Sequence, residues 1–300
     1  MNKEEAIQIS AQIGRIIANN APTIKYSPSD LKRSRREMGS ESLKEMRDIG
    51  LLRDDFELFY VIREFCSDIS LGDVADGNYI LELFKNAQKL NAFDFESDPY
   101  ILSVNIKDIV SEDITLTRAS YARGEIFQYD MPDFSKPIVT PKLGFFDREV
   151  SFPTIYQKNI PWMSVCPSEI NSMRKHISAA HGKVLVLGLG LGYYPFMLSR
   201  KDSVEEIVII ELQKTIVDIF NTHILPHFEH KSKIKVITAD AVEYLDGVND
   251  GDYDFCFADI WEGAVDGAEA YLKIRPHEKR LPRTEFAYWI EDQIKAYLDE

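Results

Sequence analysis

The stretch Val184-Leu-Val-Leu-Gly188-Leu-Gly190-Leu-Gly192 constrains this chain more than any other part of it. The apolar run 184–187 reads as a strand buried on both faces. The glycines that follow let the backbone turn sharply and let a ligand approach it closely. Pro195 then suits the first turn of a helix whose free N–H groups point back at the glycines. Apolar runs recur at 207–210, 234–237 and 255–257, separated by helix-length segments. Continuous apolar strands alternating with helices predict an α/β fold: a Rossmann-like parallel sheet with helices on both faces.

Each later strand ends on an acid. Glu211 closes the second strand, 19 residues after Gly192. A carboxylate there can accept both ribose hydroxyl hydrogens, and the spacing is close to the ~20 residues of dinucleotide folds. Asp240, followed by Ala241, closes the third strand 29 residues later, and Asp259 closes the fourth after 19 more. Open α/β sheets bind ligands at the carboxyl ends of their strands. The expected nucleoside-contacting set is therefore Gly188, Leu189, Gly190, Gly192, Glu211, Leu212, Asp240, Ala241 and Asp259. An NAD fingerprint is disfavoured, because the third glycine of G-x-G-x-x-G falls on Tyr193 in one frame and on Pro195 in the other.

With these residues the chain resembles the class I S-adenosylmethionine-dependent methyltransferase superfamily, and within it the spermidine-synthase-like branch. The resemblance covers about residues 162–262. It implies that VLVLGLGLG is the glycine-rich first motif, that Glu211 is the ribose acid, and that Asp240 meets the adenine amino group. Asp259 then corresponds to the acid closing the fourth strand. The chain departs from the pattern at two positions of the glycine-rich motif. Many of these methyltransferases carry an acid two residues before the first glycine, where this chain has Val186. Spermidine synthases place an aspartate between the later glycines, where it has Leu191. The D-S-x-D-type stretch of aminopropyltransferases appears as Asp259-Ile-Trp-Glu262. Asp259 as a base can take an amine proton, Glu262 can hold a second cationic group, and Trp261 can wall the ligand. Asp259 and Glu262 are thus the expected catalytic residues.

The rest of the chain divides by character. Residues 1–95 read as a helical domain, with Lys32, Arg33, Arg35 and Arg36 on a solvated helix face. Residues 96–165 read as a β-rich connecting segment with short runs at 100–106, 114–118, 144–146, 150–155 and 162–165, broken by prolines. Residues 166–300 form the nucleoside-binding domain. After Asp259 only 41 residues remain, and they read as helices at 266–274 and 284–298, so the sheet is expected to be C-terminally shortened. Its open edge would need cover from helices, the β-rich segment or a partner chain, which makes a homo-oligomer plausible.

Composition narrows the partners. Forty-nine acidic residues against 35 basic ones give a net charge of −14, contrary to a phosphate-gripping surface, so nucleic acid is not expected. No apolar run is long enough for a signal sequence or a membrane span, and three scattered cysteines give no disulfide framework. A reduced cytoplasmic setting without membrane association is expected. His223, His227 and His230 are interrupted by Pro226 and read as surface histidines, so no metal is expected.

The leading functional expectation is an enzyme that moves the methyl group of S-adenosylmethionine to a small molecule, because the sulfonium carries the activation and the protein need only align the partners. The alternative is spermidine-synthase-like aminopropyl transfer from decarboxylated S-adenosylmethionine. The missing anchor for an amino-acid end and the acidic surface suit that donor and a cationic acceptor. A third reading is a non-catalytic nucleoside-binding protein.

Overall fold

The structure, a computed structural model, describes residues 1–298 apart from 21, 49, 52–54 and 112. The chain divides into two compact units, Met1–Glu96 with Ser120–Ser151, and Ser97–Ala119 with Phe152–Glu300. Helices α1 (Lys3–Asn20), α2 (Pro28–Glu37), α3 (Ser40–Asp48), α4 (Phe56–Asp68) and α5 (Gly77–Asn86) come first. Strand β1 (Gln88–Leu90) and the short helices α6 (Ala92–Glu96) and α7 (Pro99–Ser103) follow. Next are β2 (Ile109–Ser111), β3 (Ile114–Tyr121), β4 (Phe127–Asp130), β5 (Lys142–Phe146), β6 (Val150–Gln157) and β7 (Ile160–Ser164).

In the first unit the apolar positions of α4 (Phe59, Val61, Ile62, Phe65) share one core with Ile13 of α1, Tyr79 and Leu83 of α5, and Leu143 and Phe145 of β5. Helices predominate over 1–95, with the addition of β1, which pairs parallel to β5. The expected strand at 100–106 is instead α7. Asp98 caps it by accepting the Tyr100 N–H at 2.8 Å, and Pro99 occupies its first turn. A cap plus a proline at the helix start outweighs the β-preference of a short apolar run.

The second unit continues with α8 (Pro167–Ala179), β8 (Gly182–Leu187), α9 (Tyr193–Ser199), β9 (Val204–Glu211), α10 (Lys214–Ile219), β10 (Ile234–Thr238), α11 (Ala241–Asp246) and β11 (Phe255–Ala258). It ends with α12 (Ala264–Ile274), α13 (Pro276–Arg280), β12 (Glu285–Tyr288) and α14 (Glu291–Leu298). Five strands form a wholly parallel sheet in the order β10-β9-β8-β11-β12, the Rossmann-like arrangement expected. Strand interiors such as Val184–Leu187 and Ile207–Ile210 are buried throughout, as a sheet covered on both faces requires.

The C-terminus corrects the sequence reading. Residues 284–298 are not one helix: 285–288 form β12, which pairs with β11 and carries the sheet one strand further. Its alternation is too short to stand out, and the preceding turn fixes it. Thr284 donates its hydroxyl to the Tyr253 carbonyl at 2.8 Å, and the Tyr288 hydroxyl donates to Glu278 at 2.7 Å. The Arg280 guanidinium donates to the carbonyls of Leu245 and Val248. The sheet still ends at five strands. No helix among the described residues is long and apolar enough to cross a membrane.

Candidate functional site

Strand register assembles the site. Leu187 of β8 lies opposite Ile210 of β9 and Ala258 of β11, and Ala258 lies opposite Tyr288 of β12. One residue further along each strand stand Gly188, Glu211, Asp259 and Trp289, level with one another on the carboxyl edge of the sheet. The strands come so close here that Gly188 has no substitute. Its φ is +96°, and a Cβ built on it would lie 1.9 Å from the Asp259 carbonyl oxygen. At Gly192 the same atom would meet the Phe220 ring at 2.5 Å. Gly190 also has positive φ, but no such crowding.

Glu211 is buried and holds the glycine loop. One carboxylate oxygen accepts the Leu189 N–H at 3.1 Å and the other the Gln213 N–H at 2.8 Å. Burial raises its pKa even against these N–H bonds. Each carboxylate oxygen keeps a lone pair, so both loop bonds and two hydroxyl donors can be accepted together. Glu211→Ala is expected to weaken nucleoside binding by about 1–3 kcal/mol, the range for leaving buried donors without an acceptor, as read by calorimetry.

A cavity of about 1050 Å³ opens over this edge. Six carboxylate side chains line it (Glu169, Glu211, Asp240, Asp259, Glu262 and Asp266), and among the described residues no Lys, Arg or His does. Glu169, in the first turn of α8, and Asp259 are both half-buried, and neither carboxylate has a hydrogen-bond or ion-pair partner among the described residues. Burial pushes Glu169 up to about 7. Asp259 is raised well above the usual carboxylate range, first by burial and then by the charge of Glu169. An acid raised in the folded state binds its proton more tightly there than in the unfolded chain, so it costs stability as pH rises from about 4.5 to about 7. Glu169→Gln should therefore match the parent at pH 4 and exceed it by up to about 3 kcal/mol at pH 8 in denaturant titrations.

The remaining expected residues sit as follows. Asp240 caps α11, its Oδ1 accepting the N–H groups of Val242 and Glu243 at 2.9 and 3.0 Å, which leaves Oδ2 to the cavity. Ala241, Leu189 and Leu212 line the cavity, Leu212 with 66% of its surface exposed. Glu262 is exposed at the rim, where its backbone N–H donates to Asp266, the residue that caps α12. Trp261 is buried in the wall, and its indole Nε1 has no partner among the described residues. Val186 lines the cavity, as does Leu191, whose carbonyl accepts the Tyr100 hydroxyl. Tyr193 and Tyr194 are held by packing: Tyr193 donates to Asp98 at 3.0 Å, and Tyr194 lies on Phe257 with ring centroids 4.2 Å apart. His223 and His227 are exposed, and His230 lies beside Glu229.

Among the cavity residues that escaped the sequence reading are Trp289 and Glu169. Trp289 follows β12, the strand that reads as helix, and its Nε1 donates to Ser172 of α8 at 2.9 Å. Glu169 neighbours the apolar stripe 170, 173 and 177. Its signal is the helix position it shares with Met173 four residues on, which also faces the cavity rather than the core.

Residues 165–275 match the family model of the spermine/spermidine synthase domain. Among solved structures the chain is similar to the spermidine synthase from Thermotoga maritima, at 15% identity over 63% of this chain and 60% of that one, with a TM-score of 0.35. It is also similar to a spermidine synthase in complex with the transition-state analogue AdoDATO, at 16% identity over 61% and 55% of the two chains, TM-score 0.34. A third is precorrin 8W decarboxylase from Methanobacterium thermoautotrophicum, at 20% identity over 39% and 61%, TM-score 0.29. The chain thus spans about 60% of the length of the first of these structures. No curated protein matches it.

Proposed function

We propose that the chain transfers an aminopropyl group from decarboxylated S-adenosylmethionine to a small cationic amine. The observation that carries this reading is the cavity lining: six carboxylates without one basic side chain, within a segment that matches the spermine/spermidine synthase domain. An intact amino-acid end would bring a carboxylate among these acids with no cation to meet it, whereas a decarboxylated donor and a polyamine carry only positive charge. Val186, apolar where many of these methyltransferases carry an acid, supports the same choice. Methyl transfer from S-adenosylmethionine, which the sequence placed first, therefore gives way to the alternative.

The residues present fit such a donor. Glu211 has lone pairs for the ribose hydroxyls, and the turn at Gly190, where a Cβ would meet nothing closer than 3.8 Å, leaves backbone open to a ligand. When bound, the sulfonium group supplies an activated carbon to an attacking amine and departs as a neutral thioether. Asp259 accepts the proton that the amine must lose, and the raised affinity of this carboxylate for a proton suits it to that role. The indoles of Trp261 and Trp289 and the side chain of Leu212 line the cavity and would give the nucleoside apolar contact.

The test is calorimetry with both donors and both nucleoside products, followed by product analysis with putrescine and spermidine. The expected result is preference for the decarboxylated donor and release of methylthioadenosine on adding an amine. Release of S-adenosylhomocysteine instead would restore methyl transfer, and binding without any turnover would leave a nucleoside-binding protein.

A further inference from the structure

Acceptor recognition in this cavity requires a second carboxylate beside Asp259, and the spacing Asp259-x-x-Glu262 nominates Glu262 for it. The structure leaves Glu262 at the rim of the cavity. Its side chain is exposed at the rim, on the segment that Asp266 ties to the start of α12. A less exposed carboxylate of the same cavity comes from another element, α8. Pro167 and the extended Cys166 start this helix, but no side-chain cap engages Glu169. Its carboxylate is half-buried with no donor to meet it, and so is that of Asp259. Two unpartnered carboxylates in one enclosed space repel each other, and a cation between them turns that repulsion into two attractions.

The wall of the same space is aromatic. Trp261 lines the cavity with 7% of its surface exposed, the pyrrole side of its indole packed against Gly267 of α12. Trp289, fixed to α8 by its bond to Ser172, adds an aromatic wall near the helix that carries Glu169.

We infer that Glu169, rather than Glu262, is the second acceptor-binding carboxylate, holding an ammonium nitrogen of the amine beside Asp259. This rests on the aminopropyl-transfer reading and adds to it a residue from outside the strand-end motif. It also sets specificity: the anchored nitrogen lies beside α8, so an acceptor needs a second amine to present to the donor, and monoamines are poor substrates.

The experiment compares the parent protein with Glu169→Gln, Glu169→Asp and Glu262→Gln, all saturated with methylthioadenosine. Calorimetric titrations use putrescine, spermidine and n-butylamine, and methylthioadenosine affinity is measured separately. Glu169→Gln is expected to weaken diamine binding about tenfold or more, the loss of one charge-assisted hydrogen bond, with methylthioadenosine affinity kept. Glu169→Asp should restore part of the loss, Glu262→Gln should weaken binding less than Glu169→Gln, and the parent should prefer putrescine to n-butylamine. Diamine binding by Glu169→Gln equal to the parent, or a larger loss in Glu262→Gln, overturns the assignment while leaving aminopropyl transfer intact. Absence of amine binding to the parent itself would overturn both.

Discussion

Asp259→Asn is expected to lower turnover by about two to four orders of magnitude while changing nucleoside affinity little, because asparagine keeps the shape of the side chain but cannot take a proton. The structure places this residue directly past β11, level with Gly188 and Glu211, in a cavity where burial already favours its protonated form. A cationic amine entering beside it reverses that preference and draws the carboxylate toward its charged, proton-accepting state. Steady-state kinetics beside calorimetry checks the expectation. Equal losses in turnover and in nucleoside affinity would make Asp259 a ligand-holding group and not a base. The amide should also flatten the acidic limb of the pH–rate profile.

Gly188→Ala should abolish nucleoside binding and destabilise the second unit by several kcal/mol, about 3 or more, through combined backbone strain and overlap. A methyl group at this position would overlap the Asp259 carbonyl, and φ is held at +96° by the turn out of β8. Relief would require β8 and β11 to separate at the edge where their register aligns the site. Thermal or denaturant unfolding reads the stability, and calorimetry reads the binding. Gly190→Ala is the internal comparison: it shares the positive φ but meets no atom closer than 3.8 Å, so it should cost less. If the two variants behaved alike, conformation and not close approach would be the requirement at Gly188.

Much of this site is legible in the chain because its parts lie at strand ends. A parallel strand buried on both faces is a continuous apolar run, and the residue that ends the run is visible as soon as the run is. Gly188, Glu211, Asp240 and Asp259 were found in that way, and the register places the first, second and fourth of them level. The roles divide less cleanly. Asp240 spends one oxygen on capping α11, which the capping preference of aspartate alone can explain. Glu262 keeps the expected spacing yet turns to solvent, because four residues beyond a strand end the chain has already left the sheet and its direction follows the cap of α12.

The sequence by itself determined the α/β class, the glycine turn and the row of strand-end acids, since each is written in contiguous residues whose periodicity or backbone freedom has a local cause. Only the tertiary structure decided that 285–288 join the sheet. A four-residue strand has too little pattern of its own and is fixed by its neighbours β11 and α13. The cavity's charge was decided the same way, because Glu169 and Trp289 lie 120 residues apart in the chain and meet Asp259 only through the packing of α8 and β12 around the sheet edge. Side chains brought together from distant segments leave no spacing to read, and their pairing exists only once the core has closed.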